Sequence, residues 1–279
     1  MEKILIFIFI ILVITVPFLY RIIRLGDISW FVNKDQFGND QNYDKAEQLR
    51  FVQIIIGYSY FILHGSIFWG WSNIILFTSI TFFISISMEI LGSKVGFIFG
   101  GKYKYDPKKS PGPICAGIPL VIPLAWAGLI YMSLNYSIFI LGHEFFIDSH
   151  QGVVILLIPS LLLTILDLVL DPIAVDEKRW EWEIPGLYYK VPLFNFVGWF
   201  FTSFIILWLF TILYVPIIID SDSSLLFQYS PGLLFSILPA IASRPCFERS
   251  LKIPGIIGLI FSIGMIAMII IRYGEIIFQ

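Results

Sequence analysis

Eight long apolar runs constrain this chain more than anything else in it: residues 4–20, 51–69, 73–91, 117–140, 152–171, 196–219, 225–242 and 254–271. Each is about the 17–25 residues needed to cross a hydrocarbon core. In lipid every backbone N–H and C=O must find its partner within the protein, so runs of this length joined by short connections read as helices. The residues are 58% hydrophobic and 14% charged, against roughly 45–50% and about 25% in soluble domains, too little polar surface to cover a water-soluble fold. The expected fold is all-α: a polytopic membrane helix bundle of about eight transmembrane helices, one integral membrane domain over residues 1–279. A secretory leader is the other reading of the first run. It has no small-residue cleavage site and runs into Arg21 and Arg24, which favours a span.

Orientation follows from the basic residues. Alternate loops hold Arg21, Arg24, Lys34, Lys45 and Arg50; Lys94, Lys102, Lys104, Lys108 and Lys109; Lys178, Arg179 and Lys190; and Arg244, Arg249 and Lys252. The loops near 70–72, 141–151 and 220–224 have none, and only Lys3 and Arg272 remain. The positive-inside rule then puts both termini outside and the four basic loops in the cytoplasm of a multi-pass cell-membrane protein. The net charge of −2 says little about partners. Lys and Arg scattered over short loops form no basic stripe, which excludes nucleic acid. Cys115 and Cys246 have no CxxC companion and read as structural thiols.

Two of the basic loops differ from ordinary connectors. One runs through Glu89, Gly92, Gly96, Gly100, Gly101, Tyr103, Tyr105, Asp106 and Pro107 to Pro119, Pro123 and Trp126. The other runs through Asp167, Asp171, Pro172, Trp180, Trp182, Pro185, Gly186, Tyr188, Tyr189, Pro192, Asn195, Gly198 and Trp199. Turn residues and rings at this density lower the entropy lost on ordering, so both loops should be compact and packed on the helix ends. An interfacial aromatic belt accounts for some of the same rings.

The acids carry the chemistry. A carboxylate inside a span costs about 2.5–3.5 kcal/mol on insertion scales, so one that is present usually faces the bundle interior and has a function. Glu89 lies about three residues before the third span ends and Asp167 about four before the fifth ends at Asp171–Pro172, so at about 1.5 Å per residue both sit roughly 5–6 Å below the same surface. Asp167 and Asp171 share a helix face. Close carboxyls in a medium of low dielectric cannot all ionise, and one should remain a proton donor near neutral pH. The structural alternative is pairing with Lys or Arg of the next loop.

No metal or organic cofactor is expected. His64 stands alone in the second span and reads as a satisfied bundle residue. His143, Glu144 and His150 lack the HExxH spacing that sets two ligands on one helix face. There is no GxSxG and no Gly-rich phosphate loop, and the acidic segment 167–171 resembles a prenyl-transfer motif only in one copy with the wrong spacing.

At these residues the sequence resembles the family of carotenoid-biosynthesis membrane proteins that includes bisanhydrobacterioruberin hydratase and the cyanobacterial carotenoid 1′,2′-hydratase. The resemblance rests on E-x-x-G at Glu89–Gly92, G-x-Y-x-Y-D at Gly101–Asp106, the stretch ending P-L-A-W at Trp126, and D-L-V-L-D-P at Asp167–Pro172. It continues through W-E-W at Trp180–Trp182, G-x-Y-Y-x-V-P at Gly186–Pro192 and N-F-x-G-W at Asn195–Trp199, covering about residues 85–200. Lys190 departs from it, standing where a small residue, often Gly, is expected. The resemblance implies hydration of an isolated trisubstituted double bond at the acyclic end of a carotenoid, giving a tertiary alcohol, and the chain length (C40 or C50) stays open. Protonating such an alkene gives a tertiary cation, so the reaction needs a poorly solvated acid, electron-rich rings and one positioned water. Asp167, Glu89 and Asp171 are the candidate acid and base, with Asp167, the deeper of its pair, preferred as donor. Tyr103, Tyr105, Trp126, Trp180, Trp182, Tyr188, Asn195 and Trp199 are the candidate substrate walls. The expected partners are the polyene, membrane lipid and other enzymes of the same pathway. A transporter with a carboxylate relay, a polyprenyl-lipid transferase and a structural pigment-binding subunit remain as alternatives. No second copy of the acid–glycine–aromatic pattern in the C-terminal helices supports an inverted repeat.

Overall fold

A computed structural model describes residues 2–26, 42–142, 152–216 and 223–278. Eight α-helices lie among them: α1 Glu2–Leu25, α2 Tyr43–Phe68, α3 Gly70–Val95, α4 Val121–Leu141, α5 Gly152–Asp176, α6 Leu193–Leu213, α7 Leu225–Glu248 and α8 Lys252–Phe278. The seven from α2 to α8 are long and apolar enough to cross a membrane, so the chain is a multi-pass membrane protein of helical architecture. α1, 24 residues long, lies along α2 and α7. Lys34 and the loop with His143, Glu144 and His150 lie outside the described residues.

α4 is the central helix, touched by α2, α3, α5, α7 and α8. It buries Ser133, Asn135 and Ser137, and each side chain donates back to a carbonyl of its own helix, at 3.0, 2.8 and 2.8 Å. That satisfies polar groups where no water can. Small residues bring the helices together: a Cβ on Gly232 of α7 would stand 2.8 Å from the Tyr136 backbone of α4. His64 is satisfied as expected, with Nδ1 2.6 Å from the Tyr131 hydroxyl and Nε2 2.9 Å from the Phe227 carbonyl.

Among the helix ends that differ from the hydropathy reading, three have a clear local reason. α2 begins at Tyr43 instead of 51, because its polar first turns pair their own charges, as in Arg50 with Glu47. α6 stops at Leu213 instead of 219: Tyr214 is extended, Val215 precedes a proline, and Asn73 of α3 clamps Val215 through its N–H (3.1 Å) and its carbonyl (2.7 Å). α5 does not end at Pro172 but continues to Asp176. Pro172 has no N–H to give the Leu168 carbonyl, and the Tyr188 hydroxyl donates to that carbonyl instead, at 3.0 Å. With α3 reaching Val95 as well, Glu89 and Asp167 stand about 9 and 13 Å of helix rise from their helix ends, deeper than the sequence implied.

The two aromatic loops pair with each other. β1 (Tyr103–Tyr105) and β4 (Trp180–Trp182) form an antiparallel ladder, with Tyr103 opposite Trp182 and Tyr105 opposite Trp180. Alternation along the strands turns these four rings toward the helices and leaves Lys104 and Glu181 exposed. β2 (Ile114–Cys115) and β3 (Ile118–Pro119) make a second short pair. Beyond β4 the chain turns tightly, Gly186 N–H donating to the Lys190 carbonyl at 2.9 Å, and Lys190 has φ of 70°. A glycine suits that left-handed backbone without the cost a side chain pays, which accounts for the small residue expected there.

The segment after α3 lies directly on α6. A Cβ on Gly198 would stand 2.7 Å from the Ile98 carbonyl oxygen and 2.6 Å from the Phe99 ring. Gly198→Ala should therefore cost about 1–3 kcal/mol by forcing backbone apart, read as a lower melting temperature in detergent. An unchanged melting curve would mean that this contact is not maintained.

Candidate functional site

One cavity of about 250 Å³ gathers residues from α2, α3, α4, α5, α6 and the β1–β4 ladder. Glu89, Asp167 and Asp171 all line it, with Tyr103, Tyr105, Trp126, Trp180, Trp182, Asn195 and Trp199. Of the residues singled out by sequence, Tyr188 is not part of this wall. It supports the site from behind, on the Leu168 carbonyl and edge-on to the Phe196 ring.

The three carboxyls are almost fully buried, Glu89 5%, Asp167 1% and Asp171 3% exposed. Each is met by neutral donors. Glu89 accepts from the Tyr103 hydroxyl (2.5 Å), the Tyr105 hydroxyl (2.7 Å) and the Trp126 indole N–H (3.0 Å). The Asn195 amide at the start of α6 donates to Asp167 Oδ2 at 2.8 Å and to Asp171 Oδ2 at 2.6 Å, so one carboxamide bridges the pair set by the i, i+4 spacing. Among the described residues Arg179, the basic residue of the following loop that lines this cavity, pairs with Glu47 and Glu177 and not with any of the three. Burial, and then the Glu89 charge, push the phenols of Tyr103 and Tyr105 well above their ordinary range, so both stay O–H donors.

The rings are mutually ordered. Trp126 and Trp199 stack with centroids 3.9 Å apart and planes 18° from parallel. Tyr103 lies 5.5 Å from Trp182, and Tyr105 the same distance from Trp180. The remaining wall is mostly apolar, from Ile54, Phe99, Val121, Ile122, Leu129, Leu170 and Ile173. Such a chamber can hold an uncharged hydrocarbon end against carboxyls and π faces. Among the described residues no cluster of three or more His, Cys, Asp or Glu is arranged to hold a metal ion.

Sequence reasoning missed the cationic rim. Arg50 and Arg179 also line the cavity, and both are held by Glu47. Arg179 pairs further with Glu177 at 2.5 Å, as does Arg24 of α1, and Glu177 also meets Arg249 after α7. Burial works against the charge of Arg179, but Glu47 beside it holds the guanidinium above its ordinary value. These residues are far apart in sequence, and counting them as loop charges hid their meeting at one end of the bundle.

A family model described as carotenoid biosynthesis protein matches residues 49–265 of the chain. No curated protein and no solved structure matches it.

Proposed function

The chain belongs to the carotenoid biosynthesis protein family, and from that premise we propose that it is a carotenoid hydratase, adding water across the terminal C=C of an acyclic end group to give a tertiary alcohol. The observation that carries the reading is the cavity itself: three buried carboxyls with neutral partners beside ordered aromatic rings, in a wall that is otherwise mostly apolar apart from Asn195 and the Arg50 and Arg179 rim.

The chemistry follows from those groups. Asp167, in its protonated form, gives its proton to the less substituted alkene carbon. A C–H bond forms, the O–H bond breaks, and positive charge develops on the tertiary carbon. The faces of Trp199, Trp182 and Tyr103 attract that charge. Glu89, anchored by three donors, supplies fixed negative potential where the cation forms. A water molecule then attacks the cation and passes a proton to Asp171. Asn195 bridges the two aspartates, so the pair ends with its starting charge and one proton moved between its members. No redox step occurs. The polyene lies in the bilayer with its end group toward the leaflet beside the basic loops, which we place in the cytoplasm.

Pigment analysis by chromatography and mass spectrometry in a host that makes an acyclic carotenoid tests this. Expression of the chain should add the mass of one water per hydrated end, and Glu89→Gln should abolish the gain at equal protein level. Unchanged pigments from well-inserted protein, with both shorter and longer polyenes supplied, would remove the hydratase reading in favour of transport or pigment binding.

A further inference from the structure

The size of the cavity bears on what the site can recognise. A cavity of about 150 Å³ lined by Leu, Ile and Phe binds benzene, which sets a scale of roughly 25 Å³ per carbon. On that scale the 250 Å³ here accommodate about ten carbons, two isoprene units, and a forty-carbon polyene would need roughly four times the space. A second apolar cavity, of about 360 Å³ between α1, α7 and α8, is lined by Phe9, Leu233, Ile237 and Ile266 among others. It shares no lining residue with the first and so does not extend it.

We infer that the site recognises only the terminal two isoprene units of an acyclic isoprenoid, so that the end group defines the substrate class and chain length is not read. The inference rests on the hydratase reading for its chemistry and on the cavity for its limit. The enclosed part of the substrate meets Ile122, Ala125 and Leu129 of α4 and Leu170 and Ile173 of α5, which belong to the apolar part of the cavity lining. The rest of the polyene stays outside the cavity, where lipid solvates it as well as protein would. Ala125 is the smallest lining residue on α4, and a larger side chain there takes up volume the end group needs.

The test uses purified full-length protein in detergent with three isoprenoids that carry one identical acyclic end group and contain ten, twenty and forty carbons. Turnover at saturation should agree within about threefold across the series, and Ala125→Phe should lower all three by at least about tenfold together. Hydration of the forty-carbon substrate without hydration of the ten-carbon one would overturn the inference and leave the hydratase reading standing. Failure of all three with folded protein would remove the hydratase reading instead, and ligand-induced melting shifts then decide the inference, since a ligand that binds only the native state raises its melting temperature. A rise with the ten-carbon compound that Ala125→Phe abolishes supports it. No rise with that compound, against a rise with the forty-carbon one or with none, overturns it.

Discussion

Asp167→Asn should lower the turnover of end-group hydration by a factor of about 10²–10⁴, the usual worth of a positioned proton donor, with insertion and melting temperature unchanged or slightly raised. The asparagine has the same shape, and its carbonyl oxygen still accepts from the Asn195 amide that now reaches Asp167 Oδ2 at 2.8 Å. What it lacks is the proton. Melting should not suffer, because a neutral amide replaces an acid packed beside a second acid in a water-excluded wall, and such sites carry strain that function requires. Asp171→Asn should cost less if Asp171 only receives a proton from water, and Asn195→Ala should lower turnover while leaving Glu89 and its three donors in place. Because the aspartates act as one unit through Asn195, the double Asn variant should be little worse than Asp167→Asn alone. Single-turnover measurements on the set decide the assignment. A large loss at Asp171 with activity kept at Asp167 would reverse the donor and acceptor roles, and activity kept in both would exclude the pair from the chemistry.

The helical architecture was legible because each apolar run of about twenty residues has one solution in lipid. The acids were legible for the same reason: Glu89, Asp167 and Asp171 fall within or beside such runs, where a carboxyl without a purpose is costly. The ends of the helices were not, because Pro172 looks like a terminator until Tyr188 is seen to take over the carbonyl it strands. The β1–β4 ladder was half legible. Y-K-Y and W-E-W each alternate ring, charge, ring, the two-residue period of a strand with one buried face, but nothing local says that two segments nearly eighty residues apart are partners. The same holds for Arg50 and Arg179. Their roles depend on Glu47 and Glu177, and no periodicity within one helix encodes a contact that four segments make together.

Glu177→Gln should be the most damaging substitution for stability, costing about 3–5 kcal/mol, the range found when one partner of a buried ion cluster is removed. Its side chain, 3% exposed, takes Arg24 and Arg179 at 2.5 Å and meets Arg249 as well. Deleting its charge leaves three guanidiniums sharing one carboxylate fewer in a place that water and salt barely reach. The exposed Arg272–Glu275 pair is the control: Glu275→Gln should change stability by less than about 1 kcal/mol, since solvent screens that pair. Thermal melting in one detergent at low and high salt separates the two, with the Glu177 loss persisting in salt. Equal small losses would mean that the cluster shares its charges too diffusely for any one carboxylate to matter. The consequence would extend to activity. Arg179 forms cavity wall and is held by Glu177 and Glu47 together, so Glu177→Gln should loosen that wall and raise KM for the end group before it lowers kcat, whereas losing the Asp167 proton lowers kcat alone.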